Sequence, residues 1–168
     1  MIKSVWAFLS AFLFITPSFS VETVPYVDLS RYLGTWYEIA SYPAFFQRGC
    51  VATKATYSSR EDGKIAVLNE CRKNTLDGPL KSANGIATVV DTESNAKLKV
   101  RFFIFSGDYW VIDLDDDYQW AVVSTPTQKY LWILSRQKTL EPAVLNGILD
   151  RLKENGFDLT KLRMTLQG

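Results

Sequence analysis

The 168-residue chain is 47% apolar and 22% charged, with 19 Lys and Arg against 18 Asp and Glu and no histidine. That length fits one domain, and a net charge of +1 without a basic stripe argues against nucleic acid as a partner. Absence of histidine removes Ser-His-Asp triads, histidine-ligated haem and most zinc sites, and two cysteines are too few for an all-cysteine zinc site. No metal or cofactor is expected.

Residues 1–20, "MIKSVWAFLSAFLFITPSFS", join Lys3 to an apolar run of about ten residues, too short for the roughly 20 of a bilayer span. Ser18 and Ser20 supply the small side chains of a cleavage site, so a secretory signal is expected over 1–20 and a mature chain over 21–168. No cysteine stands at that site to accept a lipid. The product expected is periplasmic or secreted and unanchored.

Asp28 is placed to cap a short helical turn over 27–33, and Gly34 then releases the chain into a strand over 36–43. Strands follow at 51–59 and 64–72 around Asp62-Gly63, a hairpin signal, and at 83–91. Segment 97–102, "KLKVRF", alternates strictly: Lys97, Lys99 and Arg101 face water, and Leu98, Val100 and Phe102 face the interior. Ser106-Gly107-Asp108 reads as a turn into 109–114, and Asp115-Asp116-Asp117 as a turn into 118–124, with 130–136 the eighth strand. From Pro142 to Asn155, Val144, Leu145, Ile148, Leu149 and Leu152 form one helical stripe, stopped by Gly156. A last extended piece covers about 161–166.

Eight short-linked strands and one late helix predict an all-β fold: an antiparallel up-and-down barrel with the helix packed outside. A two-sheet sandwich, the alternative, has longer cross-connections. Such a barrel holds one small ligand. Trp36, at the start of the first strand, would fill the floor and close it to water.

Gly34-x-Trp36, Asp115-x-x-Tyr118 and Trp132-Ile133-Leu134-Ser135-Arg136 resemble, in order and spacing, the three signature regions of the lipocalins. "YLGTWYEIASYP", "YLWILSR" and "ENGFDLTKL" are similar to the bacterial, apolipoprotein D-like subfamily. The resemblance covers about residues 28–166. It implies an extracytoplasmic barrel that binds a small hydrophobic molecule, in this subfamily a fatty acid or lysophospholipid. It also implies that Arg136 packs over Trp36 at the closed end, so Gly34, Trp36 and Arg136 are structural. Tyr57, Asn69 and Trp132 match positions that point into the cavity. Phe102 joins them by alternation, and Trp110 is a further candidate.

Segment 42–49, "YPAFFQRG", lies between strands one and two, over the mouth in this fold. Phe45 and Phe46 there would make an apolar rim suited to touching a membrane or a second copy of the chain. Cys50 and Cys71 straddle the 60–63 turn at nearly matched distances, which pairs them in an oxidising compartment. Asp113, Asp115, Asp116 and Asp117 lack the glycine and distal glutamate of a calcium loop and read as a solvated turn. The function expected is binding and carriage of a lipid in the cell envelope, without catalysis and with no catalytic residue assigned. Two other readings are a lipid-modifying enzyme or isomerase on the same barrel, and a filled barrel that works through its surface.

Overall fold

The computed structural model describes residues 21–103 and 105–168; the expected signal segment lies outside the described residues. The elements run α1 (Leu29–Tyr32), β1 (Gly34–Ser41), β2 (Cys50–Ser59), β3 (Ile65–Lys73), β4 (Leu80–Val89), β5 (Lys97–Phe102), β6 (Phe105–Leu114), β7 (Trp120–Ser124), β8 (Leu131–Ser135), α2 (Pro142–Glu154) and β9 (Arg163–Met164). Successive strands from β1 to β8 pair antiparallel, and β1 also pairs with β8, so eight strands close into a barrel. Closure satisfies the backbone donors and acceptors that an open sheet leaves at its edges.

Alternation sets the inner wall. On β5, Leu98 and Val100 are buried while Lys99 and Arg101 are exposed. On β7 and β8 the pattern becomes continuous, because both faces are covered. Val123 and Leu134 face the barrel interior, whereas Val122, Leu131 and Ile133 pack outward with Ile148 and Leu152 of α2. Fully burying each such aliphatic side chain contributes roughly 1.5–3 kcal/mol, which holds the helix on the barrel. Asp28 caps α1 as its position predicts, its carboxylate accepting from the Ser30 amide at 2.9 Å and the Arg31 amide at 3.4 Å.

Two expectations change. Ser106-Gly107-Asp108 is not a turn: β6 begins at Phe105, which pairs with Phe102, the last residue of β5. Gly107 sits mid-ladder opposite Val100, where its missing side chain leaves room inside rather than bending the chain. The terminal strand is also shorter than 161–166. Residues Leu159–Lys161 form a 3₁₀ turn capped by Asp158, and β9 covers two residues.

The tail beyond it has a particular task. Pairing of β1 with β2 runs only from Gly34–Tyr37 to Lys54–Tyr57, and above that the two strands part. The tail fills the seam. The Thr165 amide donates to the Ile39 carbonyl at 2.9 Å, and the Ala52 amide donates to the Leu166 carbonyl at 2.7 Å. The Gln167 side-chain amide reaches both sides, donating to the Glu38 carbonyl at 2.7 Å and the Thr53 carbonyl at 2.9 Å.

Candidate functional site: the barrel interior and its mouth

The closed end is built around one cation. Gly34 adopts φ +95°, which favours glycine, and a Cβ there would lie 3.3 Å from the Arg136 guanidinium. Arg136 stacks on the Trp36 ring with 3.7 Å from its Cζ to the centroid. Its nitrogens donate to the carbonyls of Arg31 (2.7 Å), Thr35 (3.0 Å), Tyr118 (3.2 Å) and Tyr32 (3.3 Å). A desolvated guanidinium on an indole gains roughly 2 kcal/mol. Burial draws the Arg136 pKa below the ordinary guanidinium value. Trp36 is fully buried and donates its indole N–H to the Tyr32 carbonyl at 2.8 Å. The Tyr118 hydroxyl accepts from the Asp28 amide at 2.8 Å, tying the β6–β7 turn to α1. The floor is sealed.

Above it stand three tyrosines from three elements. The Tyr57 hydroxyl donates to that of Tyr109 at 3.0 Å, and Tyr109 shares a hydrogen bond with Tyr32 at 2.8 Å. Burial raises all three pKa values; that of Tyr57, moderated by its hydrogen bond to Tyr109, is pushed up to about 12. The void left among these rings, Leu98 and Val100 is about 10 Å³. That is at the limit for one water molecule, so the lower barrel is filled.

The upper barrel is different. A Cβ built on inward-facing Gly107 would meet nothing within 4 Å. On the neighbouring strands, the Phe102 ring lies beside Gly85, where a Cβ would come within 2.7 Å of it. Asn69 lies between Ala55 and Ala83 in the ladder, small neighbours that leave space around its amide. Trp132 is opposite Ser41 and donates its indole N–H to the Gln47 side-chain carbonyl at 2.9 Å. The Gln47 amide group donates in turn to Glu38 Oε2 at 2.7 Å. Glu38 Oε1 accepts from Ser41 Oγ at 2.9 Å and from Thr165 Oγ1 at 2.5 Å. One buried carboxylate thus joins the mouth segment, the first strand and the tail.

At the rim, Phe45, Phe46, Tyr130 and Trp132 form a continuous run of rings, with successive centroids 5.2, 5.5 and 5.8 Å apart. Lys81 Nζ donates to the Phe46 carbonyl at 3.1 Å and Lys73 Nζ to the Arg48 carbonyl at 2.6 Å, pinning the 42–49 segment across the opening. Cys50, at the base of that segment, is disulfide-bonded to Cys71 with 5.4 Å between their Cα atoms. A β2 bulge just past Val51 brings the pair together.

The structure therefore places Tyr57, Asn69, Phe102 and Trp132 on the inner wall, with Tyr57 deep and the other three near the mouth. Trp110 is on the outer face. It pairs with Lys97, whose Nζ lies 4.9 Å from its ring centroid, while Tyr109 and Val111 on either side face inward. The cause is a bulge between Val111 and Asp113, which turns Asp113 outward to Arg151 Nε at 2.8 Å and Leu114 inward. Counting parity through that bulge misleads. Glu38 and Tyr109 were missed. Glu38 had a signal, since it stands two residues from inward-facing Trp36 on the same strand. Tyr109 had one too, opposite Leu98 once the true hairpin is known.

The model of the family described as "Lipocalin-like domain" matches residues 27–167. The chain is a lipocalin. It is 40% identical over 158 residues to temperature-induced lipocalin-1 of Arabidopsis thaliana, covering 88% of this chain and 83% of that one. It is 42% identical over 147 residues to the outer membrane lipoprotein Blc of Escherichia coli K12, covering 87% and 82%. Apolipoprotein D of Cavia porcellus is 35% identical over 151 residues, covering 84% and 77%. Among solved structures, insecticyanin from the tobacco hornworm superposes with a TM-score of 0.71 at 22% identity, covering 90% of this chain and 86% of that one, a likeness of fold. A lipocalin barrel with a sealed floor and an apolar inner wall is consistent with binding a small hydrophobic ligand.

Proposed function

We propose that this lipocalin binds and carries an acyl lipid, a fatty acid or lysophospholipid, outside the cytoplasm. The observation that carries the reading is the contrast between the two halves of the barrel. The lower half is packed by Trp36, Tyr32, Tyr57 and Tyr109, and the upper half, with Gly107, Ala55 and Ala83 on its wall, lies beneath an aromatic and cationic rim. The acyl chain enters between Phe102 and Trp132 and stops at the tyrosines. The anionic head stays at the rim beside Lys73 and Lys81. About ten buried methylenes at roughly 0.8 kcal/mol each give an upper bound near 8 kcal/mol, which corresponds to micromolar affinity. The relatives named as an outer membrane lipoprotein and an apolipoprotein support an envelope or extracellular setting. The disulfide fits export to an oxidising compartment.

Titration of delipidated protein with a long-chain fatty acid tests this, following tryptophan fluorescence. A saturable change is expected at micromolar ligand, because the acyl chain displaces water from the Trp132 indole. Trp132→Phe should remove most of the signal and keep much of the affinity, since phenylalanine preserves a ring in the wall. Trp36 is fully buried and contributes little. Absence of a saturable response, together with no lipid released from purified protein in native mass spectrometry, would favour a filled barrel instead.

A further inference from the structure

We propose that the open end of the barrel is a docking face for bilayers that contain anionic lipid, so that the ligand passes between membrane and cavity without crossing bulk water. The proposal rests on the lipid-binding reading above and adds a partner to the same mouth. Its first support is where the exposed apolar side chains lie. Phe103 is 90% exposed, Phe45 71%, Phe105 68%, Leu80 55%, Phe46 44% and Leu76 42%. All six belong to the β1–β2, β3–β4 and β5–β6 connections, or to the strand residues flanking them, at the open end. At the closed end, the large apolar side chains exposed among the described residues are Tyr26 and Val90.

Charge gives the second, independent support. The open-end connections, each with two flanking strand residues (40–51, 72–81, 101–106 and 123–132), hold six cations, Arg48, Arg72, Lys73, Lys81, Arg101 and Lys129, against the single carboxylate of Asp77. The closed end, counted over 28–33, 58–66, 88–98, 113–121 and 134–143, holds ten carboxylates against six cations. A chain of net charge +1 is therefore strongly dipolar along the barrel axis, and an anionic surface orients it mouth first.

The form of the surface decides the kind of partner. The six apolar groups stand in pairs on three separate connections at the open end. A flat, rigid protein face meets such spaced pairs poorly, whereas a fluid interface admits separate wedges and fills the gaps between them. Rings and aliphatic tips surrounded by lysine and arginine also match the two requirements of interfacial binding, apolar insertion and attraction to anionic headgroups.

The test is co-sedimentation of the full disulfide-bonded protein with phosphatidylcholine vesicles, with and without phosphatidylglycerol. Binding should require phosphatidylglycerol and fall with added salt, since screening acts within a Debye length. The double variant L80S/F103S should weaken binding at least tenfold while its thermal midpoint and its fatty-acid titration in vesicle-free buffer stay unchanged. Arg48→Glu with Lys129→Glu should weaken it further on anionic vesicles, at roughly fivefold per cation removed. Equal binding to both vesicle types, or no binding to either, would overturn the proposal. So would a concentration-dependent dimer that F103S abolishes, because the face would then join two copies of the chain. Vesicle binding without a fatty-acid response would sink the carrier reading and leave the docking face standing.

Discussion

Glu38 offers the sharpest test of how the mouth is held together. Its side chain is 5% exposed and accepts hydrogen bonds from Ser41, Gln47 and Thr165, which belong to β1, the mouth segment and the tail. Glu38→Ala removes three bonds to an ionised acceptor, each worth roughly 1.5–3 kcal/mol when the donors have no substitute. All three donors are only partly buried, so water replaces part of what is lost. The net cost should therefore be about 2–4 kcal/mol, a fall in midpoint of roughly 5–15 °C for a domain of this size. The loss should also be local. The Ala52 amide, bonded to the Leu166 carbonyl, should lose protection from hydrogen exchange long before the amides of β7 and β8. The Trp132 emission should shift as Gln47 lets go of the indole. A variant that melts like the parent with the Ala52 amide still protected would refute the argument.

At the closed end, Trp36→Ala should cost roughly 3–5 kcal/mol in chemical denaturation, the usual penalty for emptying a large aromatic site. Arg136→Lys should be destabilising as well, because an ammonium cannot reach the carbonyls of Arg31, Thr35 and Tyr118 together as the guanidinium does. A melt of the lysine variant that overlays the parent would remove the clamp from the account. Alkali should unfold the protein through the tyrosines. Their folded pKa values lie above the ordinary tyrosine value of 10.0, so the folded state holds protons that the unfolded state has released. The contribution of Tyr57 is complete below about pH 10 and is lost as pH rises through about 12, and those of Tyr32 and Tyr109, raised further, are lost at higher pH still. Phenolate absorbance from these three should appear only with loss of native circular dichroism. Complete tyrosine titration near pH 10 in a still-native protein would count against this.

Much of the barrel was legible because its strands obey a period of two. Lys97 to Phe102 shows its wet and dry faces without ambiguity, and the apolar stripe from Val144 to Leu152 shows the helix equally well. The failures occurred where tertiary pairing overrides local composition. Ser106-Gly107-Asp108 has the residues of a turn, yet its glycine is spent on making space inside a strand. Trp110 was misplaced by one bulge, since a single extra residue reverses which face every later side chain occupies. The three tyrosines are separated by 25 and 52 positions, and nothing local announces that their hydroxyls meet. Glu38 was legible by parity and overlooked because an acid is expected at the surface.

The two ends of the barrel use polar groups in opposite ways, and that difference bears on function. At the floor, Arg136 spends its donors on backbone carbonyls, so any loss of contact there exposes buried acceptors and the structure resists opening. At the mouth, the chain from Trp132 through Gln47 to Thr165 joins the buried Glu38 to side chains that water can also reach. Such bonds exchange at small net cost. On the proposed function, Gln47 would leave Trp132 when an acyl chain arrives, while Glu38 remains anchored by Ser41 and the tail. The seam between β1 and β2 stays shut during that exchange, because Leu166 and Gln167 hold it through backbone carbonyls and amides independently of Gln47. The proposed ligand would thus enter at the open end, the end that carries the exposed rings and the excess of positive charge.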